Sequence, residues 1–250
     1  MRLTALAGVF VLAASYGLAS GIACMPGTLQ NYIDLGAAGC SAGVVQFSSF
    51  YLAPGQSFAI PIDPTSIMVT PDGTASSPSL EFSVNSGSEA GQLRESFLHF
   101  AAAGPQLSSA SIALGALSGA TGDGLVLASM DICPGAAFAP DEPTGCPNSL
   151  SLISAVFDDL LGGPPPSSDS ATLGPANSFD IFLDLTADGG FGGGASLDSA
   201  TVGIVAAEQE AVTPEPDTIA LTAAGLAVVA IAARLAQNAG SRRPRADHQA

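Results

Sequence analysis

Leu80-Glu-Phe-Ser-Val84 sets apolar side chains at 80, 82 and 84 with polar ones between them. A period of two sends those sets to opposite faces of an extended strand. Segments of this kind recur along the chain, each closed within a few residues by Gly, Pro, Ser or Asp. With 29 Gly and 18 Pro in 250 residues, the central region cannot sustain the long 3.6-period runs of a helical protein. Val44–Leu52, Ser66–Thr70, Leu80–Val84, Leu93–Ala101, Ser108–Leu117, Gly124–Cys133, Leu150–Leu161, Ser178–Leu185 and Ala195–Ala206 read as strands. About nine or ten such strands predict an all-β, antiparallel β-sandwich of immunoglobulin or jelly-roll type. Leu150–Leu161 also admits a helical reading. Pro140–Pro147, Gly162–Ser168 and Gly189–Gly194 read as loops.

Both ends of the chain differ from this middle. Met1-Arg2 followed by the apolar stretch Leu3–Leu18 and the small residues Ala19, Ser20, Gly21 and Ala23 has the layout of a secretory signal peptide. Cleavage after Ala23 would leave Cys24 first, but Gly21 stands where a lipobox wants a Leu-like residue. At the other end, Thr218–Ala233 is apolar and uncharged, long enough as a helix for roughly 24 Å. Continuing to Ala236, it approaches the ~20 residues that a bilayer core requires. Pro214 and Pro216 stop the helix upstream, Arg234 can snorkel to the headgroups, and Arg242, Arg243 and Arg245 form a basic tail that stays on the cytoplasmic side. The expected organisation is a signal peptide helix (1–23), a β-sandwich ectodomain (24–206), an acidic Pro-rich linker (207–217), a transmembrane helix (218–236) and a basic tail (237–250).

The charge distribution narrows the partners. The chain carries 22 Asp plus Glu against 6 Lys plus Arg, for a formal net charge of −16. The basic residues are all Arg, at 2, 94, 234, 242, 243 and 245, so Arg94 alone lies between the two terminal segments. Such a surface repels nucleic acid and anionic lipid and keeps an exported domain soluble.

Four cysteines, Cys24, Cys40, Cys133 and Cys146, in an exported chain imply two disulfides. Three pairings are formally possible. The local scheme, Cys24–Cys40 with Cys133–Cys146, closes two short loops and is the favoured one. Zinc binding by these cysteines would want closer paired spacing and histidines.

Val212-Thr-Pro214-Glu215-Pro216-Asp217, the apolar helix and the arginines at 234, 242, 243 and 245 together resemble the PEP-CTERM sorting signal of exported bacterial proteins. Asp217 stands where Ser is frequent, and the arginine cluster is displaced downstream. A second stretch, Cys24-Met-Pro-Gly-Thr-Leu-Gln-Asn-Tyr32 with Leu35-Gly-Ala-Ala-Gly-Cys40 and Phe47-Ser-Ser-Phe50, resembles the opening of a β-rich group that carries such tails. The resemblance implies passage through the Sec translocon, cleavage by signal peptidase, and recognition of Pro214-Glu215-Pro216 by an exosortase while the helix holds the chain in the membrane. It further implies removal of the tail and delivery to the cell surface or an exopolysaccharide matrix.

Catalytic signals are sparse. Of the two histidines, His248 lies in the tail and His99 sits in Ser96-Phe-Leu-His-Phe100, where a strand residue is ordinarily packed or solvated. A Ser-His-Asp arrangement is formally possible, but the chain has no Gly-x-Ser-x-Gly elbow. Asp158-Asp159 and Asp141-Glu142 could serve a glycosidase, yet neighbours on a strand face opposite ways. Asp184-Leu-Thr186-Ala-Asp188-Gly189 matches the opening of a calcium loop, but Ala195 occupies the position of its bidentate carboxylate. The expectation is an exported surface or matrix structural/interaction protein, not an enzyme, with no cofactor and no metal. The alternative is a secreted carbohydrate-active hydrolase or a calcium- or carbohydrate-binding module.

Overall fold

The computed structural model describes residues 21–53, 58–139, 141–157 and 167–207. The chain divides into two units, Met1–Glu208 and Gln209–Ala250, and the described residues belong to the first. The expected signal helix up to residue 20, the expected transmembrane helix and the sorting residues Pro214, Glu215, Pro216, Arg234, Arg242, Arg243 and Arg245 lie outside the described residues; of the expected signal segment, Ile22 and Ala23 are described and pair with Ser41. Among the described residues, no helix is long and apolar enough to cross a membrane.

The fold is all-β. In chain order the elements are β1 (Gly27–Thr28), α1 (Leu29–Asp34), a 3-10 turn (Gly36–Ala38), β2 (Cys40–Ala42), β3 (Val45–Ala53), β4 (Ile60–Pro61), β5 (Met68–Gly73), β6 (Pro78–Glu89), β7 (Leu93–Leu114), β8 (Gly119–Thr121), β9 (Leu125–Pro134), β10 (Leu150–Phe157), β11 (Ser168–Asp188) and β12 (Gly194–Ala206). Hydrogen bonds join them in one twelve-stranded sheet whose main path runs β1-β5-β6-β12-β7-β11-β9-β10. All pairings between strands are antiparallel except β4 with β7.

Two long strands account for the single sheet. Leu93–Ala101 and Ser108–Leu117, expected as separate strands, are one strand that ends at Leu114, with Gly104-Pro105-Gln106 retained inside it. Gln106 takes φ 49°, which absorbs the interruption as a bulge rather than a turn. The partner β11 likewise starts at Ser168, well ahead of the expected Ser178, and its pairing with β7 shifts register around Ala176. Past these bulges β7 changes its second neighbour, from β3 at residues 97–103 to β12 at 107–114. Leu150–Phe157 is strand, not helix, paired along its length with β9.

One face of the sheet forms the main core. Leu98, Phe100, Ala102, Ile112, Ile181, Leu183 and Leu185 are fully buried there, as the alternation dictates. Phe100 is its centre: it stacks on Phe50 with ring centroids 5.1 Å apart and tilts against Phe47 at 6.4 Å and Phe82 at 6.1 Å. Helix α1, absent from the sequence reading, begins with a capping box in which Thr28 and Asn31 satisfy each other's backbone N–H. It places Tyr32 edge-on to Phe50 at 5.3 Å. The Tyr32 hydroxyl donates to Met25 O at 3.0 Å, and burial pushes its pKa up to about 12.

Cys24–Cys40 and Cys133–Cys146 are both disulfide-bonded, the local scheme. The Sγ of Cys24 is therefore engaged, and a thioether-linked lipid on that sulfur is incompatible with this fold. Disulfides of this kind belong to an oxidising compartment, extracellular or periplasmic.

Candidate functional site

The candidate site is the face of the sheet opposite the main core. On β11, Phe179, Ile181, Leu183, Leu185 and Ala187 point into the core, so Asp180, Phe182, Asp184 and Thr186 point the other way. Cross-strand register then decides their neighbours. Phe182 lies opposite His99 of β7 and Asp131 of β9, Asp184 opposite Phe97 and Ser129, and Asp180 opposite Cys133. Tyr51 of β3 lies opposite His99, and Ala53 opposite Phe97.

A second, smaller apolar cluster covers this face: Ala53, Cys133, Phe138 and Phe182 are buried, with Tyr51, Phe97 and Cys146 packed against them. Inside it sits a polar pair. His99 Nε2 is 3.0 Å from Asp180 Oδ2, and the side chains of the two residues are only 10% and 9% exposed. The same carboxylate oxygen accepts the Phe138 N–H at 2.8 Å. A carboxylate accepts only, so His99 Nε2 carries the proton and the imidazole tautomer is fixed. His99 Nδ1 is buried and has no hydrogen-bond partner. Tyr51 packs on the imidazole with ring centroids 4.5 Å apart. Burial, reinforced by Asp141 and Asp180, raises the Tyr51 phenol pKa.

Further along the same strands lies an acidic group. Burial pushes Asp184 up to about 7; Glu95 and Asp131 add to the rise, and the Thr186 hydroxyl opposes it by donating to Asp184 Oδ1 at 2.7 Å. Glu95 is itself buried and lines, with Ser96, Phe97, Leu52, Ala53, Ala59 and Pro61, a cavity of about 240 Å³. Asp131 accepts from the Ser151 hydroxyl of β10. The Asp184-Leu-Thr-Ala-Asp188 segment singled out for calcium is straight strand, not loop: Asp184 and Asp188 are spread along one face and do not wrap an ion. Among the described residues, no group of three or more His, Cys, Asp or Glu could hold a metal.

The candidate residues distribute unevenly. His99 is buried and paired. Asp141 and Glu142 are exposed on the loop after Phe138, and Asp158 and Asp159 lie outside the described residues. Asp180, Glu95 and Asp131 were not singled out, although the alternation of Ser178–Leu185 already placed Asp180 and Asp184 on one face. Nothing local in the sequence tied Asp180 to His99, eighty-one positions away.

No family model matches the chain, and no curated protein sequence matches it. Among solved structures, the chain is similar to the enzymatically active domain of tailspike protein 4 of bacteriophage CBA120, with 12% identity and a TM-score of 0.22, covering 61% of this chain and 19% of that chain. That finding corrects the expectation that the chain is not an enzyme: catalytic activity is no longer set aside. At this TM-score the likeness carries no argument for any particular activity.

Proposed function

We propose that this chain is an exported, exosortase-sorted structural or interaction protein of the cell surface or extracellular matrix. The observation that carries the reading is the pair of local disulfides, Cys24–Cys40 and Cys133–Cys146, in a domain flanked by a signal-like N-terminus and a PEP-CTERM-like tail. In this reading Pro214-Glu215-Pro216 is the exosortase recognition element, the 218–236 helix is a membrane anchor until processing, and Arg234, Arg242, Arg243 and Arg245 set its orientation. The acidic domain then reaches the surface or an exopolysaccharide matrix. A sandwich-like closure of the sheet is part of the proposal. It is supported by Leu114 N–H donating to Ser154 Oγ at 3.2 Å and Ile153 N–H to Asp169 Oδ2 at 3.1 Å, contacts that draw β10 against the far halves of β7 and β11.

Cell fractionation with mass mapping of the mature termini, in the presence and absence of an exosortase, tests the reading. Recovery of an intact, unprocessed chain from the cytoplasm would overturn it.

A second reading, a carbohydrate-active hydrolase, is favoured by Asp184. A carboxyl with a pKa of about 7 beside a second buried carboxyl, Glu95, bordering a cavity is material for acid–base hydrolysis of a glycosidic bond. Reducing-end release from a polysaccharide panel by the purified domain, lost in Asp184→Asn, is the outcome this reading requires.

A further inference from the structure

Ile22, Ala23 and Cys24 are built into the domain along the edge of β2. Ser41, the middle residue of β2, donates its N–H to Ile22 O at 2.8 Å and accepts the Cys24 N–H at 2.9 Å. Ala23 lies between those two bonds and forms a parallel bridge with Ser41, as the slanted bonding of parallel strands requires. The other edge of β2 is taken by β3, where Ser41 lies opposite Gln46. Residues 22–24 therefore cover the edge that β3 leaves open. The Cys24–Cys40 disulfide fastens the same segment to the first residue of β2, and both cysteines are buried. Met25 O then accepts the Tyr32 hydroxyl at 3.0 Å. Each residue from Ile22 to Met25 thus makes a contact of the fold.

This pairing separates cleavage sites that the sequence leaves open. A signal peptidase site has small residues one and three positions before the cut. Of the triplets ending between Ala19 and Ala23, three qualify: Gly17-Leu18-Ala19, Ala19-Ser20-Gly21 and Gly21-Ile22-Ala23. The third cut falls between Ala23 and Cys24. It would discard Ile22 O, leave the Ser41 N–H without the acceptor that the fold gives it, and uncover one edge of β2. The two upstream cuts keep the whole strand. The cut after Gly21 falls directly ahead of the first bonded group, Ile22 O.

We propose that the leader is cut upstream of Ile22 and that the mature domain keeps Ile22 and Ala23 as the strand that closes β2. The boundary expected after Ala23 moves upstream accordingly. The inference rests on the export reading above. The reaction is hydrolysis of one peptide bond: water adds across it, leaving a carboxylate on the leader and an α-ammonium on the mature chain. Ile22 is 68% exposed, so a new terminus at or just before it stays in solvent while its carbonyl remains bonded to Ser41.

The test expresses the full chain, with its own termini, in a Sec-competent bacterium. The α-amine of the exported protein is tagged by reductive dimethylation and located by mass spectrometry after digestion. The chain has no lysine, so the α-amine is the one primary amine that takes the tag. The expected result is a tag on Ile22 or Ser20. A tag on Cys24 would overturn the proposal and leave export standing. A cytoplasmic chain that still carries residues 1–20 would overturn the export reading and the proposal with it. Ala23→Leu removes the small residue of the downstream triplet at an exposed position and should leave the terminus in place. Ala19→Leu spoils both upstream triplets and should abolish that terminus. A terminus lost in Ala23→Leu, or unchanged in Ala19→Leu, would each overturn the proposal. In the mature protein the Ser41 amide should exchange more than about tenfold slower than in an unstructured chain; exchange at the unstructured rate would overturn the role given to the strand.

Discussion

Asp180 Oδ2 accepts both His99 Nε2, at 3.0 Å, and the Phe138 amide, at 2.8 Å, so one buried carboxylate oxygen joins a central strand of the sheet to the loop that covers it. Asp180→Ala would strand the Phe138 N–H and His99 Nε2 in a dry cluster. Each buried group left unpaired costs about 1–3 kcal/mol. The variant should lose roughly 2–4 kcal/mol in urea unfolding, and Phe138→Ala in the same background should cost less than it does alone, because the two act through one contact.

Asp184 makes stability depend on pH in an uncommon direction. Its folded pKa, about 7, lies above its unfolded value of 3.8, so the folded state binds the proton more tightly. The stabilisation is fully present below about pH 4 and is lost as pH rises through about 7. The loss attributable to this residue is on the order of 4 kcal/mol. Asp184→Asn, which stays neutral, should flatten that segment of the stability–pH curve and leave the protein more stable than the parent at about pH 8. Denaturant melts across the range read it directly, and a parent curve rising between about pH 4 and 7 would refute the assignment.

Phe100 organises the main core through Phe50, Phe47 and Phe82. Phe100→Ala should cost about 3–5 kcal/mol, read as a shift in the urea midpoint without a change in slope. Phe191, 99% exposed, is the internal contrast: Phe191→Ala should move the midpoint little.

Gly43 is the first residue of the two-residue turn between β2 and β3, with φ 59°. A Cβ there would run into the backbone of Ala75, whose carbonyl accepts the Val44 N–H at 2.9 Å. Gly43→Ala combines a left-handed conformation with that clash and should destabilise by about 2 kcal/mol or more, whereas Gly36→Ala, equally left-handed but open, should cost less.

The turn Gly189–Gly194 is fixed from across the sheet by Asp123, whose carboxylate accepts the N–H groups of Phe191 at 2.8 Å and Gly192 at 2.9 Å. These bonds hold its pKa below the usual carboxylate value. Asp123→Ala should speed amide exchange at 191 and 192 and leave the exchange of core strands unchanged.

Alternation was enough to place most strands and to assign the core face of β6, because a period of two is a local property of the chain. The four cysteines and their short spacings pointed to the disulfide pairs for the same reason. Gly104-Pro105-Gln106 misled: judged locally it is a turn, but flanking pairing on both sides of β7 favours a bulge over a break. Helix α1 is too short for its periodicity to register, and its capping Thr28 and Asn31 become meaningful only once Tyr32 has Phe50 to pack on.

What the sequence determined by itself is therefore the all-β class, the period-two alternation of its strands and the favoured local disulfide scheme, all set by residues near one another in the chain. What the tertiary structure alone decided is that Asp180, His99, Tyr51 and Phe138, drawn from three strands and a loop, share one buried cluster, and that burial, with Glu95 and Asp131 nearby, raises the proton affinity of Asp184. Cross-strand register brings these residues together. Register is fixed by the packing of the whole sheet, which no short segment contains.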